Sequence, residues 1–153
     1  MILLEISPKI LAAFAEKFNE FVHWKIDVAR QGAQLEQGVC YIQSNMSSLT
    51  IGLNENGDPC FQLGDRVDNP LDTFFTSAAE VFRENTIGVL LTGYGDDGSE
   101  GFAAIQEKLG KTIAQSVESC VYPNLTDSAI KRNRVDVVVK EAKLAEAIES
   151  VVR

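Results

Sequence analysis

Apolar and polar positions alternate in two distinct ways along the second half of the chain. Residues 70–83 carry apolar side chains at helical spacing, and residues 87–91 form a continuous apolar run. Helical spacing predicts an amphipathic helix, and a short apolar run is typical of a strand buried inside a parallel sheet. Further helices are predicted over 99–109, around 129 and over 144–152, with strands over 112–114 and 135–139. Gly110 is the predicted C-cap of the helix that precedes it.

The first half predicts shorter elements. Residues 2–4 predict a strand, and Ser7 followed by Pro8 predicts a helix start with serine as N-cap and proline at the first position. Strands are predicted over 26–29, 39–42 and 49–53, and a turn over 54–58 returns the chain into residues 60–63 as a hairpin. The alternation predicts a three-layer α/β fold, a mostly parallel doubly wound sheet with an antiparallel hairpin.

Composition narrows the class of protein. The 153 residues are 45% hydrophobic and 24% charged, which is ordinary for one globular domain over 1–153. A net charge of -8 disfavours nucleic-acid and anionic membrane partners. No apolar run approaches the ~18 residues of a membrane span, and the amino terminus does not resemble a signal peptide. Three separated cysteines without a CxxC pair predict reduced thiols in a cytoplasmic protein, with no metal and no cofactor.

The glycine-rich segment 93–98, GYGDDG, follows the apolar run and precedes a predicted helix. It fits the GxGxxG pattern of dinucleotide sites, but Asp96 and Asp97 would repel a pyrophosphate at the helix start. A second interpretation is a tight structural turn whose aspartates favour the positive end of the helix. A third is that one aspartate orients a catalytic histidine, since the carboxyl ends of parallel strands commonly hold the chemistry.

Residues 90–101, LLTGYGDDGSEG, resemble the signature LTGMGxDGxxG of the chemotaxis protein-glutamate methylesterase family. Residues 112–121, TIAQSVESCV, are similar to the family's TIAQDExSCV, and residues 71–80, LDTFFTSAAE, to its VDVLFxSAAE. These agreements run in order from residue 70 to 139. Residues 2–18 match the family's ILVVQHMPPGFTxxFAxRL more loosely. The chain therefore resembles the catalytic domain of that family over nearly its whole length.

The resemblance implies a serine hydrolase with a Ser, His and Asp triad that cleaves glutamate methyl esters on chemoreceptors. By position in the motif, Asp97 corresponds to the triad aspartate. Tyr94 replaces a methionine whose backbone N–H helps to form the oxyanion hole, a role that a tyrosine backbone can also fill. In a triad of this kind the histidine accepts the serine proton, and the aspartate stabilises the histidine cation.

The chain departs from the family pattern at the other two triad positions. The family's nucleophile turn, GxSTGG, is absent, and Ile6 stands at or beside the place of the catalytic histidine. The single histidine, His23, lies in a segment unlike any catalytic motif of the family. We therefore expect a domain truncated at its amino-terminal strand. A rearranged sheet, a homodimer that shares sheet edges, or additional sequence from a longer protein would compensate.

The sequence is compatible with three functions. The first is a chemotaxis signalling domain, inactive as given, that binds a chemoreceptor or another signalling protein. Exposed aromatic side chains at Tyr94 and Tyr122 would mark its binding surface. The second is an active methyl-ester hydrolase completed by missing sequence or by a partner. The third is a nucleotide-binding α/β domain that uses residues 93–98.

Overall fold

The computed structural model describes residues 1–152, and its backbone divides into two compact units, one from Met1 to Pro70 and one that begins at Leu71. The first unit contains five strands and one α-helix. Its elements are β1 (Ile2–Leu4), α1 (Leu11–Asn19), β2 (Lys25–Val28), β3 (Val39–Ser44), β4 (Leu49–Leu53) and β5 (Pro59–Leu63). A one-turn 3-10 helix, Pro8–Ile10, leads into α1. The Ser7 side chain accepts a hydrogen bond from the Lys9 N–H, so the predicted serine cap is confirmed.

Strands β1, β3 and β2 form a parallel sheet in that order, with Ile2 opposite Ile42 and Ile26 opposite Cys40. Helix α1 packs on this sheet through a buried cluster of Leu11, Ala15 and Ile42. The Asn19 side chain donates to the Ile26 carbonyl and accepts from the Ile26 N–H, both at 2.8 Å. This amide satisfies backbone groups of edge strand β2 that no neighbouring strand would reach.

Strands β4 and β5 pair antiparallel, with Leu49 opposite Leu63 and Leu53 opposite Pro59. The turn between them is held by the Asn54 side chain, which accepts hydrogen bonds from the N–H groups of Asn56 and Asp58 at 2.9 Å each. An asparagine that bonds its own downstream backbone is a strong turn former. The predicted hairpin is therefore confirmed at its predicted turn.

The second unit alternates helices and strands. Its elements are α2 (Pro70–Phe82), β6 (Ile87–Leu90), α3 (Ser99–Glu107), β7 (Lys111–Gln115), α4 (Asn124–Lys131), β8 (Val137–Val139) and α5 (Leu144–Val151). Strands β6, β7 and β8 pair parallel in that order. The buried cluster of this unit consists of Ala79, Leu90, Phe102, Ile105 and Ala129. The predicted α/β class, the mostly parallel pairing and the hairpin are thus confirmed.

The carboxyl end of α3 differs from the prediction by two residues. Lys108 is the C-cap, and the left-handed residue after it is Leu109, with φ 66°, where Gly110 had been expected to end the helix. The Leu109 N–H donates to the Gln106 carbonyl at 3.0 Å, and the Gly110 N–H donates to the Ile105 carbonyl at 2.9 Å. These two bonds form a Schellman motif, which normally places glycine at the left-handed position. The prediction was wrong because glycine occupies the position after it.

Leu109→Gly should stabilise the protein. The side chain is 77% exposed, so its loss removes little packing, whereas a left-handed conformation costs a residue with a Cβ ~1 kcal/mol. Denaturant unfolding should show a free energy of unfolding higher by ~0.5–1 kcal/mol. Leu109→Ala is the matched control, because alanine keeps the Cβ and the strain. A glycine variant no more stable than the alanine variant would contradict this account of the helix end.

Candidate functional site

Both predicted site residues, Tyr94 and Asp97, lie on the loop that joins β6 to α3, residues 91–98. This loop leaves the carboxyl end of β6, and a second loop, residues 116–123, leaves the carboxyl end of the neighbouring strand β7. In parallel sheets, loops at this end carry the binding and catalytic groups. The two loops together form the candidate site of the second unit.

Backbone and side-chain hydrogen bonds join the two loops. The Tyr122 carbonyl accepts from the Gly93 N–H at 2.8 Å, and the Tyr122 N–H donates to the Thr92 hydroxyl oxygen at 2.8 Å. The buried Gln115 side chain accepts from the Thr92 N–H at 3.1 Å and donates to the Ser119 carbonyl at 2.7 Å. Because each loop supplies partners for the other, their relative position is fixed within the unit.

The Asp97 carboxylate is bound to the start of α2. One oxygen accepts from the Leu71 N–H and the other from the Asp72 N–H, both at 2.8 Å. The first N–H groups of a helix have no partner within the helix, and a carboxylate there is also favoured by the helix dipole. Asp97 therefore acts as a cap supplied from a distant part of the chain.

Asp72 returns the same interaction to the start of α3. One of its carboxylate oxygens accepts from the Gly98 N–H at 2.8 Å and from the Gly101 N–H at 2.7 Å. Each aspartate thus lies near one helix start and caps the other helix. We call this arrangement the aspartate pair. It fixes the ends of α2 and α3 against each other at the base of the 91–98 loop.

Two glycines of the motif are required by this geometry. Gly98 has φ 102°, a backbone conformation that residues with a Cβ rarely adopt. Gly101 lies where α3 passes α2, and a Cβ there would come within 2.6 Å of the Phe75 Cβ and 3.0 Å of the Asp72 Cα. The DGxxG spacing therefore follows from the close approach of two helices that the aspartate pair joins.

Burial raises the pKa of the Asp97 carboxyl above its ordinary value of 3.8, and the charge of Asp72 acts in the same direction. The backbone N–H groups of Asp72, Leu71 and Gly98 oppose this effect by stabilising the carboxylate, but burial is the larger cause. Since the folded form holds its proton more tightly than the unfolded form, proton binding by this carboxyl adds to the free energy of unfolding. That stabilisation is complete below pH 3.8. It is lost as the pH rises through the raised pKa.

Tyr94 lies on the outer side of the same loop. Its ring packs on that of Tyr122, with centroids 4.1 Å apart and planes tilted by 31°. Hydrogen bonding with the Tyr122 side chain raises the pKa of the Tyr94 hydroxyl above 10.0, so this phenol is neutral at physiological pH. Among residues 1–152, the Tyr94 backbone N–H donates to no acceptor, as an oxyanion-hole donor requires.

The two remaining positions of interest lie in the first unit. Ile6 packs against the buried cluster of Leu11, Ala15 and Ile42 as an ordinary apolar side chain. His23 is exposed after α1, beside a surface hollow that Trp24 and Cys40 also line. Within the described part of the chain, the His23 side chain makes no hydrogen bond and no ion pair.

Residues 1–152 bring together no group of three His, Cys, Asp or Glu side chains with the geometry of a metal site. The three cysteines are free thiols, as the sequence predicts. No helix in the described part of the chain has the length and hydropathy needed to cross a membrane.

Comparison with known proteins places these features in a family. The model of the CheB methylesterase family matches residues 1–148, almost the entire chain. The chain belongs to the CheB methylesterase family. The predicted resemblance to the chemotaxis protein-glutamate methylesterase domain is thereby confirmed.

Curated CheB relatives are about one-third identical to this chain over the aligned residues. A protein-glutamate methylesterase/protein-glutamine glutaminase of Syntrophomonas wolfei is 32% identical over 92% of the chain, and one of Shewanella sp. strain MR-4 is 34% identical over 91%. The chain spans about 41% of the length of these relatives. The Thermotoga maritima CheB methylesterase catalytic domain has the same fold, with a TM-score of 0.87 and 26% identity. The match covers 98% of this chain and 82% of that one.

Two residues of the candidate site were not predicted from the sequence. Asp72 is not among the predicted site residues, although an acid in the first turn after Pro70 is a capping signal. Gln115 belongs to the segment 112–121 that resembles the family, and nothing in the sequence indicates that its amide joins the two loops. Both roles depend on contacts between residues more than twenty positions apart or on different loops.

Asp97→Ala should destabilise the CheB-family fold by ~2 kcal/mol, because it leaves two helix-start N–H groups without an acceptor. Chemical denaturation would measure the loss. Asp96→Ala is the matched control, since Asp96 is 72% exposed and forms only a surface ion pair with Arg132 at 3.3 Å. We expect the control to change stability by less than ~0.5 kcal/mol. Equal effects for the two neighbours would contradict the capping role of Asp97.

Proposed function

We infer that this chain is a CheB-family signalling domain that binds a protein partner and does not by itself hydrolyse glutamate methyl esters. The observation that carries this proposal is the state of His23, the single histidine of the chain. A general base must lie within hydrogen-bond reach of the nucleophile and be oriented by a third group. The exposed His23 side chain has neither partner among the described residues.

The residue at the family's histidine position supports the same proposal. Ile6 carries no group that accepts a proton, and its side chain contributes to an apolar cluster. Loss of the serine and histidine of a triad removes ~10⁶-fold of rate, because the members act as a unit. Without them, the remaining oxyanion-hole donor would leave only slow hydrolysis.

The presence of Asp97 does not require catalysis. Both of its oxygens accept N–H groups at the start of α2, and Asp72 holds the loop from the other side. A chain that has no use for a triad aspartate still depends on this carboxylate to position two helices. We therefore interpret the motif 93–101 as a structural unit whose role in the fold does not depend on catalysis.

A hydrolase completed by further sequence or by a partner is the second candidate. The Tyr94 N–H, which has no acceptor among residues 1–152, favours it. Asp97 lies on the same loop, and carboxylates offer about four acceptor positions, so a histidine from elsewhere has a place to bind. In that case hydrolysis appears only when the serine and histidine are supplied.

A nucleotide-binding role has less support. Phosphate groups bind at helix starts by accepting the free backbone N–H groups there. At α3 the N–H groups of Gly98 and Gly101 already donate to the Asp72 carboxylate. A phosphate would have to displace that carboxylate and then lie beside it.

The proposed setting is chemotaxis signalling in the cytoplasm, with a chemoreceptor or another signalling protein as partner. The homologues are protein-glutamate methylesterases/protein-glutamine glutaminases, which supports this setting. A homodimer that shares sheet edges remains part of the proposal, because β1 and β6 are edge strands of their sheets.

The test is the release of methanol from methylated receptor glutamates, and of ammonia from receptor glutamines, by the purified chain. We expect both rates to equal those in buffer. His23→Ala should leave them unchanged, and the Thermotoga maritima catalytic domain serves as the positive control. Saturable hydrolysis that His23→Ala abolishes would show that the proposal of inactivity is wrong.

A further inference from the structure

Four large apolar side chains are exposed on the two loops of the second unit. They are Leu91 at 44%, Tyr94 at 64%, Val121 at 76% and Tyr122 at 44% exposed. We call these residues the tyrosine patch. Tyrosine is over-represented among residues that dominate protein–protein binding energies, and neighbouring exposed apolar groups commonly mark binding sites.

Hydrogen bonds hold the backbone of the tyrosine patch at Tyr122 and beside Tyr94. Tyr122 is fixed through its own backbone, whose N–H and carbonyl both bond to the Thr92 hydroxyl, at 2.8 and 3.2 Å. Gly93, next to Tyr94, donates to the same carbonyl and accepts from the Leu125 N–H at 3.3 Å. A surface that loses little conformational freedom on binding retains more of its contact energy.

The surroundings of the patch are acidic. Residues 91–98 and 116–123 contain three carboxylates and neither lysine nor arginine. Asp97 is turned inward to cap α2, whereas Asp96 and Glu118 are exposed. The guanidinium of Arg132 is already shared between Asp96 at 3.3 Å and Glu100 at 2.9 Å. The negative charges near the patch therefore exceed the positive ones.

We propose that the tyrosine patch is the docking site for a cationic, apolar segment of a partner protein, in which arginine side chains lie on the Tyr94 and Tyr122 rings and reach the nearby carboxylates. This proposal rests on the proposed function and names the partner class. Guanidinium groups stack on aromatic faces and pair with carboxylates, so one side chain satisfies both features. An acidic segment would meet only like charge here.

The test uses a synthetic helical peptide of leucine and arginine, and the same peptide with glutamate in place of arginine. Calorimetric titration of the chain should show binding of the arginine peptide that weakens with salt, and at least ~10-fold weaker binding of the glutamate peptide. The double variant Tyr94→Ala with Tyr122→Ala should lose at least ~10-fold in affinity for the arginine peptide. Tyr94→Phe with Tyr122→Phe should keep it, since the ring faces remain.

Phe21→Ala is the matched control, because Phe21 is an exposed aromatic residue of the first unit. It should bind the arginine peptide as the wild type does, and circular dichroism should show that all variants are folded. Equal affinities of the two peptides, no effect of the alanine pair, an equal loss in Phe21→Ala, or no binding would each overturn the proposal. Methanol release is measured separately, so failure of the docking site and failure of the proposed inactivity are distinguished.

Discussion

The aspartate pair is the interaction on which the second unit depends. Asp97 accepts the first N–H groups of α2, and Asp72 accepts those at the start of α3. Asp97 lies at the start of α3 but caps α2, and Asp72 lies at the start of α2 but caps α3. A shift of either helix would therefore break the cap of the other. From this constraint follow the close approach at Gly101 and the left-handed turn at Gly98.

The aspartate in the motif 93–101 can have a catalytic role or a structural role. The resemblance to the methylesterase family implies that the aspartate after the glycine-rich turn serves a catalytic histidine. In this chain Asp97 accepts the N–H groups that begin α2, Ile6 packs in an apolar cluster, and His23 is exposed. The exposed rings of Tyr94 and Tyr122, on the two loops of the second unit, are the basis of the proposed partner binding.

The sequence predicted the class of fold, because the class depends on local pattern. The apolar run before Gly93, the Asn54 turn and the Ser7 cap each involve residues close in sequence, and each was confirmed. The capping partner of Asp97 could not be predicted, since it lies about twenty-five positions away and depends on how α2 meets α3. The predicted C-cap of α3 lay two residues too far along the chain, because Leu109 adopts a left-handed conformation that sequence rules assign to glycine.

The central claim is that Asp97 is committed to the start of α2. Amide hydrogen exchange measured by NMR tests it directly, because the Leu71 and Asp72 N–H groups are the ones that Asp97 accepts. The account predicts that both amides are protected in the wild type and lose protection in Asp97→Ala. The Gly101 amide, which donates to Asp72, should keep its protection. Unchanged exchange at Leu71 and Asp72 in that variant would contradict the account.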